Sequence, residues 1–340
     1  MSSPLQLSRE QILAFRRATQ ALDQRLPAGG RSLKQAAWAG LQDSVPRSGL
    51  HSLHARVEGV RPDTWEDPAL AQVWGPRYAA YVVPADAHAA FTLARMPERG
   101  ALPARAEDLA SRLKQHLAGR KMGYGDVGMA MGMNPNNLRY ASLTGTVCIR
   151  WEGARQAAVW AVPRPHESAA EALEEMVRRY LHVFGPSTAD SLARWAGVDA
   201  PRAGAAFESL APELIAVRTP LGDAWLLAAD EQLARAAARR TDAARLLPSG
   251  DPYFLLWHAD RDLLVPDPKR RDMLWTTRVW PGALLLGGEI AGTWRRSKAL
   301  VTVTPWRRLS AAERRRVEEE TATLPLPDVA VPASVQWDAA

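Results

Sequence analysis

Cysteine is almost missing from this sequence. Cys148 is the only one in 340 residues, which excludes intramolecular disulfides and any zinc or iron–sulfur site built from several thiolates. A reducing, cytoplasmic setting is the expectation. Lysine is scarce as well: Lys34, Lys114, Lys121, Lys269 and Lys298 are the only five among 43 basic residues, and the rest are arginine. Arginine forks suit phosphate, but the same bias follows from a GC-rich genome. No apolar run approaches the roughly 18 residues that a membrane span needs, so no membrane association is expected. The opening residues MSSPLQLSREQILAFRR hold no apolar stretch with a small-residue cleavage site, so no secretory signal is expected either. A nucleophile elbow and a phosphate-binding Gly-Lys-Ser/Thr loop are also lacking, which disfavours serine hydrolases and nucleotide hydrolases.

What is present is a soluble-type composition, 47% hydrophobic and 24% charged, with a net charge of +6. The charge is spread evenly along the chain, so it is weak evidence for a nucleic-acid partner taken alone. The stronger signal is a loose internal repeat. Residues 171–184, EALEEMVRRYLHVF, place Leu173, Met176, Val177, Tyr180, Leu181 and Phe184 on one helical face. Gly185-Pro186 ends that helix, and Ser187 or Thr188 caps the next, STADSLARWAG. A turn, VDAPR, leads to AGAAFESLAPEL, and two strand-like runs, LIAVRT and AWLLA, follow around PLGD. Helix, helix, turn, helix and hairpin is the order of a winged helix.

The same order recurs in AEDLASRLKQHLAG, GYGDVGMAMGM, NNLRYASLTG, TVCIRW and AAVWAVP. A looser copy reads LSREQILAFRRATQAL, SLKQAAWAGLQ, LHSLHARVEGV, AQVWG and YAAYVVP. An α+β fold is therefore predicted, with three tandem winged-helix units at 8–84, 104–163 and 168–230. The alternative is one large helical domain with incidental hairpins. Residues 245–325 change character. Strand-like runs such as RLLPSGDPYFLLW, DLLVPD and LLLGGEIAGTW, the last turning at Gly287-Gly288, predict a small β-barrel with a terminal helix.

Two patterns look like sites and are read blandly. Gly123-Tyr-Gly125-Asp-Val-Gly128 matches a dinucleotide fingerprint in letters, but an amphipathic helix precedes it where a strand is required. His51, His54 and Glu58 share one helical face without a fourth ligand, so no metal is expected. As part of a third helix, His51 and His54 are instead candidates to face DNA. Gln42-Asp43-Ser44, at the end of a predicted helix before VPRSG, reads by itself as helix-terminal polar residues.

These segments resemble a known family. AGLQDSVPRSGLHSLHARVEG at 39–59, VWGPRYAAYVVP at 73–84, YLHVFGPSTADSLARWAG at 180–197, LLPSGDPYFL at 246–255 and WPGALLLGGEIAGTWR at 280–295 are similar to the AlkZ/YcaQ-like winged-helix DNA-binding-domain proteins. That family includes DNA glycosylases that unhook interstrand crosslinks. The resemblance covers roughly 10–325 and implies a concave basic surface for duplex DNA. It implies excision of N7-alkylated purines, including bulky or crosslinked adducts, by a monomer that needs no cofactor and no obligate protein partner. The family's catalytic motif is Gln-x-Gln or Gln-x-Asp around an aliphatic residue, which makes Gln42, Ser44 and Asp43 the catalytic candidates. Tyr81 stands where the family's first wing usually has His, and Tyr78 where it has Gly. Arg47, His51, His54, Arg77, Tyr78, Tyr81 and Arg139 are the candidate DNA contacts. The alternative function is a non-catalytic winged-helix DNA-binding protein, a regulator or lesion-sensing module.

Overall fold

Helix starts in this chain carry their own capping chemistry. In the computed structural model, which describes residues 4–45, 47–151, 157–236, 241–327 and 329–338, Ser8 and Gln11 form a capping box at helix Arg9–Thr19. Ser168 with Glu171 and Ser310 with Glu313 do the same at helices Ala169–Phe184 and Ala311–Ala322. Each box satisfies two N–H groups that a first turn leaves orphaned. Thr188 caps helix Ala189–Ala196, and Asp199 caps helix Ala200–Ser209. The hairpin of strands Leu214–Thr219 and Gly222–Leu227 follows. The amino-terminal strand Leu5–Gln6 joins this hairpin in parallel, Leu5 opposite Val217.

Upstream, two hairpins merge. Strands Leu70–Trp74 and Ala80–Pro84 form one, and strands Val147–Arg150 and Ala158–Ala161 the other. Gln72 pairs with Ile149 across their edges, and short strands Leu41–Gln42 and Met122–Gly123 complete a six-stranded sheet. The helix predicted through SLKQAAWAGLQ is shorter than expected. It spans Gly30–Ala36, and Leu41–Gln42 is strand. Gly40, at φ 76°, turns the chain between them. The segment read as a third helix in the second copy is a 3₁₀ run, Pro135–Thr144.

The carboxyl-terminal part corrects the barrel expectation. Five strands, Ala244–Leu247, Gly282–Leu286, Glu289–Ser297, Leu300–Pro305 and Ser334–Trp337, form one open sheet whose first and last strands do not pair. Helix Ala311–Ala322 packs against both of those outer strands. It places Val317 among Leu246, Leu284, Val301 and Val303, so a helix covers the core that a closed barrel would enclose by itself. DLLVPD, read as strand, contributes instead to helix Ala259–Leu264. No helix among the described residues is long and apolar enough to cross a membrane.

The element that joins the two large sheets is helix Ser48–Arg56. It packs against the Leu41–Gln42 strand on one side and the Ala244–Leu247 strand on the other. All nine of its residues are buried. Burial of Leu50 and Leu53 contributes roughly 1.5–3 kcal/mol each. The expectation set His51 and His54 on an open helix face; here a second sheet covers that face and both side chains are buried. The His54 ring packs against Arg25 and hydrogen-bonds Thr323, and the His51 ring meets Trp294 edge-on. Desolvation pushes the His51 pKa down to about 4 and that of His54 to about 3, so both are neutral at pH 7.

Candidate active site

An extended backbone sends alternate side chains to opposite faces. Gln42 ends its strand and Ser44 lies two residues on, so both point to one face while Asp43 points to the other. Gln42 is half-buried, Ser44 exposed and Asp43 only 2% exposed. Gln42 Nε2 donates to Ser44 Oγ at 3.0 Å. Tyr81, opposite Gln42 in the adjoining strand, donates its hydroxyl to Gln42 Oε1 at 3.4 Å. Burial raises the pKa of the Tyr81 phenol, which keeps it protonated as a donor. The amide of Gln42 is thus oriented at both ends, with one N–H and one lone pair left over among the described residues.

Gly250 closes over this amide. A Cβ at that position would meet Gln42 Cδ at 3.4 Å, and φ of 80° favours glycine. The neighbouring Asp251 is fully buried and takes both Arg56 amino groups, at 2.7 and 2.8 Å, together with the Ser52 hydroxyl at 2.7 Å. The loop that covers Gln42 is therefore anchored to the joining helix by a bidentate ion pair. Asp251 and Arg56 were not site candidates, and the only sequence signal for them is the LLPSGDPYFL segment.

Asp43 is a buried carboxylate in a slot where the family resemblance places an aliphatic side chain. Its Oδ1 accepts from the Gly49 N–H at 2.9 Å and lies 3.4 Å from the Ser48 hydroxyl, and its Oδ2 accepts from Gln72 Nε2 at 2.6 Å. Gln72 Oε1 in turn accepts the Trp151 N–H at 2.7 Å. Desolvation is the largest influence on Asp43. It outweighs these hydrogen bonds and brings the pKa up to about 6. The native state therefore favours the protonated form. The contribution of Asp43 to stability is full below its unfolded pKa of 3.8 and is lost as pH rises through about 6. That difference corresponds to about 3 kcal/mol. Asp43→Asn should thus gain on the wild type by up to that amount between pH 4 and pH 8, measured as the difference of their denaturant unfolding free energies. A pH-independent difference would show that Asp43 titrates normally.

Beside Ser44 opens a cavity of about 230 Å³ walled by Trp74, Tyr78, Tyr124 and Trp151, with Asn136 and Arg139 as its polar lining. Arg139 Nε is buried there without a hydrogen-bond partner among the described residues. Arg47 braces the wall, donating to the Trp151 carbonyl at 2.7 Å and stacking its guanidinium 3.8 Å over Trp65.

Two comparisons bear on this arrangement. The family described as DNA glycosylase AlkZ-like matches residues 35–325. The chain belongs to the AlkZ-like DNA glycosylase family. The solved structure of Streptomyces sahachiroi DNA glycosylase AlkZ is similar in fold, with a TM-score of 0.77 at 17% identity, over 98% of this chain and 100% of that one. No individual curated protein matches.

The remaining candidates lie around the hairpin tip of this AlkZ-like chain. Arg77 and Tyr78 both adopt positive φ, 51° and 60°, a conformation that costs a residue with a side chain roughly 1–2 kcal/mol. At 78 the resemblance places a glycine, which has no such cost. Tyr78 is held by the Arg95 guanidinium at 4.2 Å and by the Tyr140 ring at 5.0 Å, while Arg95 also donates to the Trp74 and Gly75 carbonyls. Arg77 is exposed but lies 4.2 Å over the Trp257 ring and against Gly197. The structure thus brings Ser44, Tyr78 and Arg139 to one cavity, with Gln42 and Tyr81 linked to it through Ser44 and Arg47 behind its wall. It sets Asp43 beneath, Arg77 to one side, and His51 and His54 in the interior. Gln72, Trp151, Tyr124 and Asn136 belong to the site and were not singled out in the sequence. Among the described residues, no three His, Cys, Asp or Glu side chains form a group that could hold a metal.

Proposed function

We propose that this chain is a monofunctional DNA glycosylase that excises N7-alkylated purines, bulky or crosslinked ones included, from duplex DNA. The observation that carries the reading is the Gln42 amide, fixed by Tyr81 and by Ser44, which itself lines an aromatic cavity. An N7-alkylpurine carries positive charge, and electron-rich ring faces attract it. An extruded purine entering between Trp74, Tyr78, Tyr124 and Trp151 stacks, and Arg139 Nε and Asn136 supply donors to its oxygen and nitrogen edges. The bond from C1′ to the base breaks with its electron pair going to the purine, which leaves neutral. A water that donates to the free lone pair of Gln42 Oε1 and to Ser44 Oγ adds to C1′ of the oxocarbenium-like sugar and releases its proton to bulk solvent. Asp43 does not face that water; it sets the strand and, through Gln72, the position of Trp151. Three winged-helix units present this face to the duplex, and the protein works as a monomer in the cytoplasm without cofactor.

The test is single-turnover excision on a duplex with one N7-methylguanine, followed by alkaline strand cleavage. Strand breaks at the lesion support the reading. The second reading, a DNA-binding protein without excision, draws on Ser44, whose hydroxyl reaches less far than the glutamine amide the family motif has there. Ser44→Gln separates the two. Raised excision marks a competent, attenuated site, whereas no excision by either form on several alkylated substrates favours the binding protein.

A further inference from the structure

A second cavity lies on the other side of the motif segment. Ser44 lines the first; the next residue, Val45, lines the second, together with Ser48 of the joining helix. The volume of the second cavity is about 240 Å³, and its walls include Trp280, Trp294 and His51, with Arg295 and Arg296 at one side. The Trp294 indole N–H is committed to the Leu247 carbonyl at 2.9 Å, and its ring lies against Gly282, where any Cβ would collide with it. Trp294 therefore supplies a fixed apolar surface. Trp280 is only half-buried.

The polar group in this wall is His51. It is 5% exposed, and its Nε2 is buried with no hydrogen-bond partner among the described residues. The ring also lies beside the Pro325 backbone, whose only polar group is a carbonyl. A proton on Nδ1 suits that carbonyl and leaves Nε2, which has no partner among the described residues, as the acceptor. An unsatisfied buried acceptor costs about 1–3 kcal/mol, and a ligand that brings an N–H removes that cost. Arg295 and Arg296 donate to the Val279 and Lys298 carbonyls, and neither forms an ion pair among the described residues. Aromatic walls, one buried acceptor and unpaired guanidinium charge together fit a nucleotide: a flat ring with an amino group, followed by a phosphate.

We propose that this cavity receives a second nucleobase of the bound duplex, stacked against Trp280 and donating an amino N–H to His51 Nε2. The proposal rests on the reading that DNA lies across residues 42–44. Two bases qualify, the one opposite the lesion and a neighbour in the lesion strand, and they share this chemistry.

The experiment measures equilibrium binding of the full chain to duplexes with a tetrahydrofuran abasic analogue, which cannot be cleaved. Adenine or 2′-deoxynebularine, which lacks the amino group, is placed opposite the analogue or on either side of it. At one of these positions the wild type should bind the nebularine duplex about tenfold more weakly than the adenine duplex. His51→Phe, which keeps a flat ring and removes the acceptor, should bind the two alike. The position that responds names the strand. No response at any position, or the same response in His51→Phe, overturns the proposal. If His51→Phe does not fold, Trp280→Leu takes its place. It should weaken binding several-fold at the responsive position and have no effect when that nucleotide is itself abasic; equal weakening of both duplexes counts against the cavity. No excision enters this measurement. A protein that excises N7-methylguanine but shows no amino-group dependence refutes this inference alone, and one that shows the dependence without excision refutes only the glycosylase reading.

Discussion

Replacing Asp251 by alanine is expected to destabilise the protein by about 3–5 kcal/mol, the cost of leaving a buried charge without its partner. The side chains of Arg56 and Asp251 are 1% and 0% exposed, so water cannot take over for the missing carboxylate. Arg56 would keep only the Gln20 side chain and the Ser52 carbonyl. Asp251 also fixes its own loop by accepting the Tyr253 N–H at 3.0 Å. The change should be read from urea unfolding with an unchanged slope. Arg56→Met with Asp251→Leu should recover much of the loss, because two apolar side chains carry no stranded charge. A loss below 1 kcal/mol for Asp251→Ala would mean that the pair is not closed to water. The same substitution should reduce excision well below the unfolding midpoint, since the Gly250 turn that covers Gln42 hangs on this ion pair.

Gln42→Ala is expected to lower single-turnover excision of an N7-alkylpurine by about tenfold to a hundredfold, or roughly 1.4–2.7 kcal/mol of transition-state stabilisation. DNA affinity should stay nearly unchanged, because the lost hydrogen bond serves the sugar and water as charge develops and not the ground-state duplex. Tyr81→Phe supplies the finer test. Without the phenol, Gln42 Oε1 loses its donor and the amide can rotate, so a smaller fall in rate is expected with no change in fold. If Gln42→Ala weakens binding and rate equally, the amide holds DNA and does not act on the glycosidic bond.

The amphipathic helix at 169–184, its break and the cap at Thr188 are all legible in the sequence, because each depends on residues within a turn of one another. The site motif is legible only by resemblance, and the local pattern misstates its geometry. The apolar spacing of Leu33, Ala36, Ala37 and Leu41 continues a helical pattern past Gly40, and nothing nearby shows that residue 41 pairs with Val82. As a strand the segment explains its own spacing: 42 and 44 share a face, and 43 must be buried. The burial of His51 and His54 is hidden in the sequence for a related reason. Polar residues on one face of a short helix read as solvent-facing, and the sheet that covers them comes from the far end of the chain. Arg56 and Asp251 sit 195 positions apart, a separation at which periodicity carries no information.

That separation also orders events during synthesis. The strand with Gln42 and the hairpin with Tyr81 leave the ribosome early, and the Gly250–Asp251 turn follows only after residues 85–249 have been made. Until then Arg56 is a buried-to-be cation without its anion, and the joining helix has no second sheet to rest on. A nascent or prematurely ended chain can thus carry every motif residue and still lack a shaped site. Competence at Gln42 becomes a report that the distant half of the polypeptide has arrived and docked.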